Sequence, residues 1–378
     1  MMTVYAPTTE LELAELISAD DVQFEVRGRG SKSSLGRHAP IDDVLSMAKF
    51  TGVTSYEPEE LVLEAGAATL LGDIEKLLAK HNQMLAFEPP DFSSLLGSKH
   101  SGSLGGMLAT GLSGPRRLKT GAVRDHVLGV RGVSGRGEIF KAGARVVKNV
   151  TGYDMPKLMA GSFGTLAALT SVIFKVLPRP ETEETLVLRG LSDAEAMHVM
   201  SQAMQSSCEV SGAAHVPGEG TYLRLEGIGV SVRARRESLL GILERHVDIQ
   251  NADASRITWK RIKNCAVFSL DPATVLWRIS VAPMQGAAVV SRIAAVVECE
   301  YYFDWAGGLI WLAVPPNFDV RSCFSEGHAM LFKAPAELRE RAPVFQPQSP
   351  ALAALSTRIK SSFDPAGKLN RGRMYGEI

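Results

Sequence analysis

The stretch Ser101-Gly-Ser-Leu-Gly-Gly-Met-Leu-Ala-Thr-Gly-Leu-Ser-Gly-Pro-Arg-Arg117 puts five glycines into seventeen residues. Glycine has no Cβ, so its amide can approach a phosphate or the edge of a large flat ligand without a clash, at a cost in backbone entropy. Two further stretches of the same texture flank it, Val26-Arg-Gly-Arg-Gly-Ser-Lys-Ser-Ser34 upstream and Ala160-Gly-Ser-Phe-Gly-Thr-Leu166 downstream, with Gly121 between. One such loop says little. Several, separated by strand and helix patterns, point to one extended ligand touched at several places.

Around these stretches the first half alternates between strand and helix signals. Strands are predicted over Val22–Arg27, Leu61–Ala65, Val127–Val133, Ile139–Ala142 and Thr170–Leu177, and an amphipathic helix over Leu70–His81 with Leu70, Ile74, Leu77 and Leu78 on one face. Pro178-Arg-Pro180 followed by Glu181-Thr-Glu-Glu184 reads as a strand stop and a domain boundary. From Thr185 to Lys333 glycines thin out, and a strand, helix, strand, strand, helix order appears twice. The first copy uses Leu186–Arg189, Asp193–Gln205, Ala213–Val216, Tyr222–Glu226 and Val230–His246. The second uses Val275–Val281, Gly286–Val297, Glu300–Trp305, Leu309–Val314 and Val320–Glu326, with Ala329–Lys333 as a closing strand. This is a ferredoxin-like α+β pattern, read as a duplication on element order alone. Pro343 to Pro350 reads as a linker, Ala351–Phe363 as a helix and Phe363–Gly372 as a structured tail. The expected fold class is α+β, with a ligand-binding domain at 1–180, a ferredoxin-like domain at 181–345 and a C-terminal segment at 346–378.

Composition narrows the partners. Among 378 residues, Lys plus Arg equals Asp plus Glu at 41 each, so there is no electrostatic footprint for nucleic acid or anionic lipid. Four cysteines, Cys208, Cys265, Cys299 and Cys323, stand far apart without Cys-x-x-Cys spacing, which argues against an iron–sulfur or structural zinc site on this chain. The N-terminal residues lack the pattern of a signal peptide, and the longest apolar runs, such as Leu309–Val314, are strand length. A cytoplasmic protein without direct membrane insertion is expected.

The turn after the first strand concentrates donors: backbone amides, the hydroxyls of Ser31, Ser33 and Ser34, and the cations of Arg29 and Lys32. Such a turn can form an anion-binding nest for a pyrophosphate, and it can equally be an ordinary glycine-rich connection. It lacks the Gly-Lys-Ser/Thr ending of a P-loop. Ser33 stands where a Rossmann fingerprint needs its third glycine, and Pro40 breaks any following helix.

Taken in order, the Ser101–Arg117 stretch, Thr120-Gly-Ala-Val-Arg-Asp125, Lys148-Asn-Val-Thr-Gly-Tyr-Asp154 and Ala160–Leu166 resemble the FAD-binding domain of the vanillyl-alcohol oxidase, or PCMH, type. The segments Gly114-Pro-Arg-Arg117, Lys148–Asp154 and Asn370-Arg-Gly-Arg-Met374 look most like the smaller flavin-binding subunit of bacterial glycolate oxidases, and that likeness extends through Leu276–Ser280 to the C-terminus. The resemblance implies that Gly28, Gly30, Ser31 and Lys32 hold the pyrophosphate. It places Leu104, Gly105, Gly106, Ala109, Gly111 and Gly114 along the isoalloxazine and ribityl chain, with Gly121 continuing that segment. It puts the adenine end near Asp125, Val127, Gly161, Gly164 and Thr165, and brings Asn370 of the tail back to the flavin. Ser31 occupies the position where relatives often carry a linking histidine, so noncovalent FAD is implied. The metal-binding histidine pair of 2-hydroxy-acid-oxidising relatives has no counterpart among His38, His81, His100, His126, His198, His215, His246 and His328.

The implied activity is that of an FAD-dependent oxidoreductase acting on CH–OH donors, one subunit of a glycolate oxidase complex. Its implied partners are a larger FAD-binding subunit and an iron–sulfur subunit. Oxidising a 2-hydroxy acid calls for a cation at the carboxylate, and Arg278 and Arg116 are the catalytic candidates, each also readable as a structural residue. Trp277, Trp305 and Trp311 read as core. Three alternatives stay open: a self-sufficient FAD oxidoreductase for another hydroxy acid or alcohol, a non-catalytic scaffold with a flavin fold, and a nicotinamide enzyme.

Overall fold

The computed structural model describes residues 3–20, 22–41, 43–145, 153–269, 274–376 and 378. Most of the Lys148–Asp154 motif lies outside the described residues. The chain divides into two compact units, one of Met1–Ser113, Ala122–Pro178 and Arg339–Ile378, the other of Gly114–Gly121 and Arg179–Leu338.

In the first unit, β1 (Thr3–Tyr5), β2 (Phe24–Arg27) and β3 (Asp43–Ser46) form a parallel sheet in the order β1-β3-β2. β4 (Val53–Glu57), β5 (Val62–Gly66), β7 (Val127–Ser134), β8 (Ile139–Gly143) and β9 (Ala167–Lys175) form an antiparallel sheet in the order β4-β5-β9-β7-β8. Short β6 (Gln83–Met84) pairs with β10 (Leu177–Pro178). Helix α1 (Glu10–Ser18) is N-capped by Thr9, whose Oγ1 accepts from the Glu12 amide. Its Leu13 and Ile17, four residues apart, enter a core with Phe24, Leu45, Met47, Val133, Ala168 and Leu369. Helix α2 (Leu71–Ala79) buries Leu71, Ile74 and Leu78.

The C-terminal segment belongs to this unit. After helix Pro350–Phe363 the chain runs beside β2, with Phe24 donating to the Lys368 carbonyl (2.7 Å) and the Asn370 amide donating to the Phe24 carbonyl (2.9 Å). A buried ion pair fixes it. Lys360 Nζ donates to Asp364 Oδ2 (2.6 Å) and to the carbonyls of Thr165 (2.6 Å) and Leu369 (3.0 Å), using all three protons. Asp364 in turn accepts from the amides of Lys368 and Leu369. Complete pairing is what makes burial of both charges tolerable.

The second unit is built on one antiparallel sheet of eight strands. These are β11 (Thr182–Leu188), β12 (Gly212–Val216), β13 (Gly220–Gly227), β14 (Asp248–Gln250), β15 (Val275–Ser280), β16 (Glu300–Asp304), β17 (Leu309–Val314) and β18 (His328–Lys333). The order β14-β11-β13-β12-β16-β17-β15-β18 contains one motif twice: from its outer edge inward each half runs fourth, first, third, second, and the halves meet where His215 of β12 pairs with Phe303 of β16. That is the ferredoxin-like arrangement, duplicated.

Four details differ from the sequence expectations. The acidic Glu181–Glu184 run begins β11 rather than ending a strand: Thr182–Glu184 pair with Gly227–Leu225, and Glu183 is buried with its carboxylate accepting from Ser255 Oγ. The edge strand β14 was not anticipated, being three residues long. Nor was helix Ala252–Lys263, whose Asn251 cap accepts from the Ala254 amide and whose Trp259 and Ile262 face inward. Val320–Glu326 is a single turn over Val320–Cys323, since Asp319 Oδ1 and the Ser322 hydroxyl satisfy local groups that a helix would need.

Candidate cofactor site

The three glycine stretches meet in the first unit. β2 ends at Arg27, and the chain turns through Gly28–Ser34, with Gly30 at φ +74° where only glycine is unstrained. The turn is closed by Ser33 donating to the Gly30 carbonyl (3.3 Å) and Leu35 to the Lys32 carbonyl (3.0 Å). Among the described residues nothing accepts from the amides of Arg29, Gly30, Ser31 and Lys32. Four successive N–H groups without an acceptor make an anion-binding concavity.

The turn is held from behind by the tail. The Arg373 guanidinium donates from Nη2 to the carbonyls of Lys32 (3.0 Å) and Ser33 (2.7 Å), and the Arg373 carbonyl accepts from the Arg37 amide (2.8 Å). With those carbonyls engaged, the amides are left for the other side. Desolvation lowers the Arg373 pKa to about 10, against the pull of the Glu25 carboxylate 3.6 Å away. Lys32 is likewise brought down to about 8 by burial, opposed by the charge of Asp91, and its ammonium has no hydrogen-bond partner among the described residues.

The second stretch forms a helix, α3 (Leu104–Thr110), not the loop that its glycines suggest. Ser103 caps it by accepting from the Gly106 amide (3.4 Å), and Gly111 ends it at φ +66°. Small residues let this helix lie against its neighbour. The Gly105 amide donates to the Ala67 carbonyl (2.7 Å), and a Cβ on Gly105 would sit 2.8 Å from the Ala67 Cβ. The third stretch docks on α3 through the Phe163 amide, which donates to the Ala109 carbonyl (2.8 Å), and Phe163 itself is left-handed at φ +54°. Asn370 stitches stretch one to stretch three: its Oδ1 accepts from the Val26 amide (2.8 Å) and its Nδ2 donates to the Phe163 carbonyl (2.7 Å).

Together they line one cleft. Of the expected residues, Gly28, Gly30, Ser31 and Lys32 line it from the first turn, Gly105, Gly106 and Ala109 from α3, and Gly164 and Asn370 complete it. The others lie elsewhere. Leu104 is wholly buried, Gly111 and Gly161 abut each other's backbones, and Thr165 donates to the Ser162 carbonyl. Asp125 accepts from the Ala122 amide, Val127 is buried at the start of β7, and Gly114 and Gly121 belong to the second unit. Residues not anticipated include Met47, Ala67, Ser103 and Arg373. Ser103 carried a signal as a cap ahead of an apolar run, whereas Arg373 comes from a tail segment whose position is set by tertiary pairing.

The cleft is cationic. Arg27, Arg29, Lys32 and Arg373 line it against one carboxylate, Glu25. No described lining residue is histidine, cysteine or tyrosine, the side chains that could bond covalently to a flavin.

In the second unit, the Arg116 fork is taken by Glu226, with Nε and Nη2 donating at 3.0 and 2.6 Å and both side chains buried. Arg278 lies on β15 opposite Trp311. Its guanidinium stacks 5.1 Å from the Trp305 ring centre and 5.9 Å from that of Trp311. Among the described residues, no group of three or more His, Cys, Asp or Glu is placed to hold a metal, and no helix is long and apolar enough to cross a membrane.

Comparison with known proteins points to a flavin. Residues 2–143 match the family model described as an FAD binding domain. Glycolate oxidase subunit GlcE of Escherichia coli is 35% identical over 377 residues, covering 97% of each chain. The chain belongs to the family of FAD-binding oxidoreductase subunits that contains GlcE. Other relatives match about half of this chain: glycolate oxidase subunit GlcD of Bacillus subtilis is 32% identical over 49% of the chain and 38% of its own length, and a D-lactate dehydrogenase of Anaerostipes hadrus is 34% identical over the same shares. A solved alkyldihydroxyacetonephosphate synthase shares the fold, with a TM-score of 0.66 at 16% identity, covering 97% of this chain and 76% of that one.

The cofactor is FAD, and the residues present fit it. Four amides with no acceptor and an excess of cations suit a pyrophosphate, and Gly105, Gly106 and Ala109 of α3 line the cleft beside them.

Proposed function

We propose that this chain is the FAD-binding subunit of a complex that oxidises glycolate to glyoxylate, holding FAD noncovalently and passing electrons on to a larger flavin subunit and an iron–sulfur subunit. The observation that carries the reading is the row of free amides at Arg29–Lys32 in a cationic cleft, in a chain that matches GlcE along nearly its whole length. In this reading residues 1–180 and the returning segment 346–378 carry the cofactor, and residues 181–345 supply substrate contacts. The protein works in the cytoplasm and reaches a membrane only through its partners.

When bound, FAD supplies the hydride acceptor. The chain's own residues do the rest. The Arg29–Lys32 amides and the Lys32 ammonium bind the pyrophosphate. Arg373 keeps those amides turned toward it by engaging the Lys32 and Ser33 carbonyls. Gly105 lets α3 lie against Ala67, where a Cβ would sit 2.8 Å from the Ala67 Cβ, and so sets the wall on which the ring rests.

The test compares the isolated chain with the assembled complex. Glycolate should reduce flavin in the complex, and Gly105→Val should abolish FAD loading of this chain and with it complex turnover. Full glycolate turnover by the isolated chain with an artificial acceptor would show a self-sufficient enzyme instead. Unimpaired turnover of a complex whose small subunit carries no flavin would reduce this chain to a scaffold.

A further inference from the structure

We propose that in the FAD-free chain the Lys32 amine captures small aldehydes that carry a carboxylate, forming an imine in the cleft that keeps FAD out. That the aldehyde is glyoxylate, the product of the reaction, rests on the function proposed above; the capture itself rests on the cleft.

The cleft puts a nucleophile beside an anion site. Lys32 lines it, and so do Arg27, Arg29 and Arg373, while the amides of Arg29–Lys32 have no acceptor among the described residues. Glu25 is the one carboxylate of the lining, and it is shared between Arg27 and Arg373, so positive charge prevails. The Lys32 Nζ makes no hydrogen bond among the described residues, and it is not one of the unpartnered polar atoms shut off from solvent there. Lys360 is the contrast: its three protons are all engaged, at Asp364, Thr165 and Leu369. Gly102 makes room for the Lys32 side chain, since a Cβ there would stand 2.5 Å from Nζ.

Burial prepares the amine for this chemistry. It brings the Lys32 pKa down to about 8, opposed by the charge of Asp91. At pH 7 about one Lys32 side chain in ten is then the neutral amine, against fewer than about one in a thousand for an ordinary lysine. Desolvation beside other cations is how lysines become imine-forming nucleophiles. The anionic end of the aldehyde is drawn to the amides and guanidinium groups, and the nitrogen lone pair adds to the carbonyl carbon. The carbinolamine then loses water, which takes the carbonyl oxygen and both amine hydrogens. Nothing is oxidised or reduced, so no further reactant is needed. The adduct leaves a carboxylate where the pyrophosphate would bind.

The experiment treats the FAD-free full chain with glyoxylate, reduces any imine with cyanoborohydride and maps carboxymethyl-lysine by peptide mass spectrometry. Lys32 should be labelled at least about tenfold faster than any other lysine, following its larger amine fraction. FAD present throughout should suppress that labelling, and acetaldehyde, which has no carboxylate, should show no such preference. FAD uptake by the treated chain should fall in proportion to Lys32 modification. Lys32→Arg has no amine to condense, so its FAD uptake should be the same before and after treatment. Labelling of Lys32 no faster than of surface lysines, equal labelling in the presence of FAD, an equal preference with acetaldehyde, or a loss of uptake on treating Lys32→Arg would overturn the capture. Absence of Lys32 labelling in a chain whose complex oxidises glycolate sinks the capture and spares the functional reading. Selective labelling in a chain whose complex leaves glycolate unchanged sinks the functional reading instead.

Discussion

Replacing Arg373 by methionine should loosen FAD without unfolding the protein. The side chain makes two charge-assisted bonds to the loop, at 3.0 Å to the Lys32 carbonyl and 2.7 Å to that of Ser33. Bonds of this kind contribute about 1.5–3 kcal/mol each. Desolvation of the guanidinium, visible in its lowered pKa, offsets part of that, and methionine retains much of the packing. A net loss of about 2–4 kcal/mol of loop ordering remains. If FAD binds only the ordered loop, that loss passes into affinity, and Kd should rise about 30- to 1,000-fold. Arg373→Lys keeps the charge on a shorter side chain that reaches the two carbonyls less well, so its Kd should fall between those of the wild type and the Met variant. The assay is titration of FAD-free protein with FAD, followed by quenching of flavin fluorescence. A Kd for Arg373→Met within about threefold of the wild-type value would refute the reasoning, because the loop would then hold its shape without the tail.

The Lys32 ammonium, lowered to about 8 in the FAD-free cleft, should make FAD affinity fall by up to tenfold per pH unit above about 8, where binding must first restore the proton. The profile of Lys32→Met should be flat, and a flat wild-type profile would contradict this. For folding the sign is opposite: the unfolded chain binds more protons than the folded one between pH 8 and the ordinary lysine range, so denaturation of FAD-free protein should show stability rising across that window. Lys360→Met leaves Asp364 and two carbonyls buried without their donor and should cost about 3–5 kcal/mol in denaturant unfolding; a cost below about 1 kcal/mol would show the tail to be held otherwise. Arg116→Ala strands the buried Glu226, which keeps Arg224 at 3.5 Å, so a loss near the lower end of that range, about 3 kcal/mol, is expected with unchanged FAD content. A stability equal to wild type would return Arg116 to the list of substrate contacts.

Much of this arrangement is legible in the chain because glycine, proline and apolar period act locally. The helix over Leu71–Ala79, the strands β5, β7 and β8 and the doubled ferredoxin-like order all follow from such signals. The misses are tertiary. Glu183 reads as a strand breaker by charge, and only Ser255 and the partner strand β13 make its burial tolerable. The glycines of α3 read as a loop, and what makes them helical is a serine cap and the close approach of Ala67. At the site, donor density leaves Gly28 to Lys32 open between an anion nest and a plain connection, and the family resemblance is what assigns them to the pyrophosphate. Arg373 could not be named at all, since it reaches Lys32 across 341 positions. Arg116 and Arg278 look alike in sequence, and they part only when Glu226 is seen to take one of them.

The central claim is a noncovalent FAD in the cleft of the first unit, and flavin counting after acid precipitation tests it most directly. The protein should release about one FAD per chain into the supernatant, and the stripped chain should take FAD back with recovery of its visible spectrum. Flavin that stays with the pellet, or a colourless chain that cannot be reconstituted, would contradict the account.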